Sequence, residues 1–169
     1  MIVLPAKDLR AKTNELDQVL FIPSGLDEIV IHEMESTGKF AKVVKADQQA
    51  PDNGFLLEAN LLELNWDIPN HGQMEGTAFG LSLLTGGVGG IIYGSTKTTV
   101  YGHAQIAFKF SNLASNHIIL EKQYSGEATN VVAKFNCDTP ATGRRIAGEA
   151  VKVIIDQFKH DLSRALLDQ

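Results

Sequence analysis

Residues 98–129 read TTVYGHAQIAFKF, then SNLASN, then HIILEKQYSGEAT. In the first run Val100, Ala104, Ile106, Phe108 and Phe110 fall on one face, with His103, Gln105 and Lys109 on the other. In the second, Ile118, Leu120, Tyr124 and Ala128 oppose Glu121, Gln123 and Glu127. A period of two is that of a half-buried strand. Two such runs joined by a short Asn- and Ser-rich turn predict an antiparallel hairpin. Its apolar face needs a cover, and the C-terminus supplies one. Ile146, Ala150, Val151, Ile154, Phe158, Leu162 and Leu166 recur at helical spacing. Asp138 or Thr139 can cap this helix, and Pro140 suits its first turn.

Upstream, Ile2, Val3 and Leu4 read as a short strand that Pro5 ends or places at an edge. Residues 7–19 are polar and read as a loop. A helix opens at Pro23 and Ser24, with Leu26, Ile29, Val30 and Met34 on one side and Asp27, Glu28 and Glu35 on the other. Asp27 and Glu28 suit the positive end of its dipole, and Gly38 is placed to cap its C-terminus. Residues 40–45 form a short strand and residues 46–54 a turn. Residues 55–66 form a long strand whose imperfect alternation fits a central position. The order is β-α-β-β-β-β-α. That order predicts an α+β fold: a two-layer sandwich with a mixed, mostly antiparallel sheet of about five strands and helices on one face. At 169 residues the chain suits one domain spanning 1–169.

Between the long strand and the hairpin, at about 77–97, lies an insert of a different kind. Residues 79–94, FGLSLLTGGVGGIIYG, carry no charge and have Gly at 80, 86, 87, 89, 90 and 94. The run is shorter than the roughly 20 apolar residues of a membrane-spanning helix, and each glycine weakens a helix by up to about 1 kcal/mol. A phosphate loop needs Gly followed directly by Lys, but Ser95 and Thr96 follow Gly94. A dinucleotide fingerprint would need Gly where Ile92 stands. A glycine-hinged apolar hairpin or loop is left, with Gly86, Gly87, Gly89 and Gly90 as hinge positions. Its candidate contact residues are Phe79, Leu81, Leu83, Leu84, Val88, Ile91, Ile92 and Tyr93. Packing on the chain's own sheet and presentation to a partner or to lipid both remain open.

The net charge of −5 argues against a general binder of nucleic acid or anionic membranes. Lys39, Lys42 and Lys45 read as a solvated cluster. Arg144 and Arg145 read likewise; they sit in the first turn of the closing helix, where the dipole disfavours them, and would answer an acidic partner. Glu28 and His32 stand four apart, but Ser36 occupies the place where H-E-x-x-H needs its second His, so no metal site is expected. Cys137, the single cysteine, precedes a helix start. As a nucleophile it would need a base, and His103 and His117 lie at opposite ends of the hairpin. No carboxylate pair reads as general acid and base, and no cofactor is expected. The opening MIVLPAKDLR has no basic n-region or apolar h-region, which predicts a cytosolic protein or a chain from which an export signal has been removed.

Several segments carry a resemblance. IVLPAKD, then a helix, then Gly38-Lys39-Phe40-Ala41-Lys42-Val43 resembles the opening of the periplasmic lipoprotein domain found in the curli secretion subunit. Penicillin-binding-protein activator lipoproteins, the Pel polysaccharide export lipoprotein and the TolB N-terminal domain share it. GFLLEANLLELNW, the runs 104–110 and 118–126, and the closing helix match the same order. The resemblance implies an exported, lipid-anchored accessory at the outer membrane that works by binding. In the curli subunit inserted segments contribute to a membrane pore; the insert here is short for pore strands of about 9–11 residues each. The lipid-bearing Cys of that group is absent from this sequence. The leading expectation is a non-enzymatic periplasmic assembly or secretion accessory. It would contact a cell-envelope protein, membrane lipid or further copies of itself, and no nucleic acid. A lipid- or small-ligand-binding module with the insert as lid is the alternative, and a cytosolic enzyme using Cys137 is the third.

Overall fold

The computed structural model describes residues 1–11, 23–46, 54–69, 74, 82–85, 88–137 and 139–167. Strands β1 (Ile2–Val3), β2 (Lys7–Asp8), β3 (Val44–Lys45), β4 (Phe55–Asp67), β5 (Lys97–Asn112) and β6 (His117–Ala133) make one sheet in the order β3-β1-β4-β5-β6. The expected hairpin is there: β5 and β6 pair antiparallel from Lys97 opposite Ala133 to Asn112 opposite His117. Strand β4 pairs antiparallel with β5 on its other side. Strand β1 runs parallel to both β3 and β4. Helices α1 (Pro23–Ser36) and α3 (Pro140–Leu167) cover one face, and α2 (Val88–Ser95) lies within the insert. The α+β class and the mixed sheet with helices packed on it are as expected.

The core follows from the two periodicities. Ala104, Ile106, Phe108 and Phe110 of β5 are buried, as are Ile146, Ala147, Ala150, Val151, Ile154, Ile155, Phe158 and Leu162 of α3. Phe108 stacks on Phe158 at 4.3 Å, and Tyr124 meets Phe158 edge-on at 6.1 Å. Leu26, Val30 and Met34 bring α1 into the same cluster. Helix α3 comes very close to the sheet where β5 and β6 carry glycine. A Cβ at Gly102 would lie 2.7 Å from the carbonyl oxygen of Ile146, and one at Gly126 would collide with that of Ala150. The Thr142 N–H donates to Thr139 Oγ1 at 3.2 Å, so Thr139 caps the helix. Gly38 adopts φ +64 and its N–H donates to Glu35, ending α1 as expected.

Four expectations are corrected. Residues 7–8 are not loop but strand β2, because β1 and β2 form one interrupted line along β4. Leu4 N–H donates to Leu57 O and Leu9 N–H to Leu61 O on either side of the break at Pro5, and this pairing outweighs the polar composition. Asp27 does not face water. It is buried, accepts a hydrogen bond from the Ala6 N–H beside that break, and pairs with Lys45 Nζ at 3.2 Å. The reversal has a cause: a donor without a β4 partner needs a buried acceptor, while Ile29, assigned to the apolar side, is exposed. Lys45 is thereby removed from the solvated cluster. Ile118, expected inside, is exposed because the β5/β6 register shifts between Phe110 and Ser111. The strand expected over 40–45 is reduced to β3, with Phe40 packing against Phe55 and Phe110 instead.

Candidate contact surface

Helix α2 precedes β5 directly, so it sits at the end of the sheet where β5 begins and β6 finishes. Residues 88–95 are helical, not a hairpin or loop, and residues 82–84 are also helical. Gly89 and Gly90 therefore lie within a helix instead of hinging a turn. A helix satisfies its backbone groups internally, which suits a segment with no strand beside it. Its last turn is closed by Ser95 and Thr96, whose hydroxyls donate to Ile92 O at 2.8 Å and Tyr93 O at 2.6 Å. Phe79, Leu81, Gly86 and Gly87 lie outside the described residues, as does the side chain of Val88.

The described contact candidates point outward. Leu83 is 70% exposed, Leu84 85%, Ile91 64% and Ile92 62%. Tyr93 is half-buried, with Lys134 Nζ 3.6 Å from its ring centre. Gly94 is buried because the ring of Phe135 lies on it, leaving no room for a Cβ. Phe135 is itself exposed, as is Val131 near the end of β6. Phe135 thus extends the surface, and no local signal in the sequence marks it. Only the fold brings Phe135 to Gly94, across the 3-10 turn Lys134–Asn136. Met74, ahead of the insert, packs on the small cluster of Val100, Cys137 and Ile146.

Two other candidate sites do not assemble. Cys137 is buried with its thiol donating to Lys134 O at 3.0 Å. His117 begins β6 while Cys137 follows its end, so a full strand separates them. His103 lies on the sheet's open face, 3.3 Å from Glu63 and 3.9 Å from Glu127. No base reaches the thiol from either. On α1, Glu33 pairs with Lys159 of α3 at 2.7 Å, which holds its carboxyl below the usual range, and His32 is exposed. Among the described residues no group of three or more His, Cys, Asp or Glu could hold a metal ion.

A groove of about 590 Å³ runs between β6 and the outer side of α3, lined among others by Lys122, Tyr124, Val153, Asp156, His160 and Asp161. Asp161 accepts from Lys122 Nζ at 2.7 Å and from the Tyr124 hydroxyl at 3.0 Å. These bonds, Lys122 first, hold its carboxyl down to about 2. Burial, and then the bond to Asp161, push the Tyr124 hydroxyl up. No described residue of the insert lines this groove.

No protein-family model matches the chain, and no curated protein matches it. Solved structures do. The protein XCC0632 from Xanthomonas campestris, of family DUF330, superposes with a TM-score of 0.54 at 10% identity, over 99% of this chain and 86% of that one. A neuraminyllactose-binding hemagglutinin homologue from Helicobacter pylori gives 0.48 at 13% identity, over 99% and 87%. A minor lipoprotein from Acinetobacter baumannii gives 0.38 at 13%, over 96% and 87%. The first of these likenesses shows a shared fold.

Proposed function

We propose that this chain is a non-enzymatic cell-envelope domain that works by binding, as an assembly or secretion accessory on the periplasmic side of the outer membrane. The observation that carries the proposal is the outward placement of Leu83, Leu84, Ile91 and Ile92 on an uncharged segment. Large apolar side chains exposed along one uncharged segment mark a contact site more often than a solvated one. The resemblance to periplasmic lipoprotein domains supports the location. The contact surface consists of the insert's apolar residues, and what covers it is an envelope protein, lipid, or another copy of the chain.

Cell fractionation of the natural gene product tests this reading. The expected result is recovery with the outer-membrane fraction, and release when Leu83, Leu84, Ile91 and Ile92 are all replaced by Ser in a protein that still folds. An unprocessed protein in the cytoplasmic fraction, unaffected by those substitutions, would contradict it.

A further inference from the structure

The insert does not stand alone at its end of the sheet. Lys97 opens β5 opposite Ala133, and Lys134 follows directly, its N–H donating to Thr96 O at 2.9 Å. The 3-10 turn leads into α3, with Thr142 Oγ1 donating to Asn136 O at 2.7 Å, so Arg144 and Arg145 rise from the same end. Lys97, Arg144 and Arg145 are exposed. None of these four cations pairs with a carboxylate among the described residues; Lys134 rests on the Tyr93 ring instead. By contrast, Lys45, Lys109, Lys122 and Lys159 all meet acids elsewhere in the fold. Asp67, opposite Tyr101, is the described carboxylate that β4 brings towards this end. A chain of net charge −5 thus leaves unpaired positive charge beside its exposed apolar segment.

We propose that this end of the molecule docks on an anionic lipid bilayer, with Leu83, Leu84, Ile91, Ile92 and Phe135 entering the interface and Lys97, Lys134, Arg144 and Arg145 meeting lipid phosphates. The inference rests on the binding role proposed above and names its occupant. Uncharged apolar side chains beside basic ones are the chemistry of an interfacial segment, in which area burial and headgroup attraction add. Long cationic side chains reach headgroups while their stems lie along apolar surface. No helix among the described residues is long and apolar enough to cross a membrane, and docking requires none.

Sedimentation of the purified chain with vesicles tests the proposal. Vesicles of equal parts phosphatidylglycerol and phosphatidylcholine are expected to carry the protein down, and pure phosphatidylcholine far less. Each Lys→Gln or Arg→Gln change at the four positions is expected to weaken binding about fivefold, and about 1 M salt to abolish the difference between vesicles. Arg144→Glu with Arg145→Glu leaves the apolar segment intact and is expected to remove the preference for phosphatidylglycerol, with an unchanged unfolding midpoint as the folding control. Equal binding to both vesicle types, or none to either, overturns the proposal. If vesicles fail while envelope recovery still depends on Leu83, Leu84, Ile91 and Ile92, a protein covers the surface: the lipid inference falls and the binding role stands. If both fail, both fall.

Discussion

Helices α3 and α2 are both built from apolar residues, and the fold treats them oppositely. In α3 the apolar stripe alternates with Lys152, Asp156, Lys159 and Asp161, so one side is suited to the sheet and the other to water. Its stripe is buried from Ile146 to Leu162. Helix α2 has no polar side to turn outward, and Ile91 and Ile92 stay in the open. Among its described residues Gly90 and Gly94 are buried, Gly94 under Phe135, and the half-buried Tyr93 meets Lys134. Amphipathic pattern, more than apolar content, tells where a helix belongs in this chain. A uniformly apolar segment on a sheet that α1 and α3 already cover is left for something outside the chain.

The contrast can be broken or sharpened by substitution. Phe158→Ala removes a ring stacked on Phe108 and should cost about 3–5 kcal/mol, read as a fall in the urea midpoint. Gly126→Ala should cost about 1–3 kcal/mol, because α3 must lift off the sheet to admit a methyl group. If Gly126→Ala is neutral, the close approach of α3 is not what seats it.

A third test uses pH. The Asp161 carboxyl is depressed from 3.8 to about 2 in the folded protein. A depressed acid stabilises the fold above its unfolded pKa, and the gain is lost as pH falls through the folded value. Stability should therefore decline between about pH 4 and pH 2, and Asp161→Asn should remove that part of the acid slope. An unchanged acid limb would mean that Asp161 does not tie α3 to β6. The smallest effect is expected at Glu33→Gln: the half-exposed pair with Lys159 contributes less than about 1 kcal/mol, and salt screens it.

The hairpin and α3 were legible almost residue by residue, since a period of two and a period of 3.6 are local signals. Val100 to Phe110 alternate as read, and every residue of the α3 stripe from Ile146 to Leu162 is buried. The misreadings lie where a distant partner decides. Asp27 is inside because Ala6 needs an acceptor 21 residues away. Residues 7–8 are a strand because β4 lies alongside them. Of the contact surface, the sequence supplied Leu83, Leu84, Ile91 and Ile92. Phe135 and the gathering of Lys97, Lys134, Arg144 and Arg145 emerge from topology, and net charge concealed them. A negative total describes the whole chain, whereas docking depends on the local distribution.

The contrast between a buried stripe and an open segment is tested most directly by urea unfolding of the chain with Leu83, Leu84, Ile91 and Ile92 all changed to Ser. The account predicts a midpoint and slope close to those of the unaltered chain, since exposed positions contribute within about 0.5 kcal/mol each. A collapse of the midpoint comparable to that of Phe158→Ala would contradict it, placing the insert in the core and leaving no surface to cover.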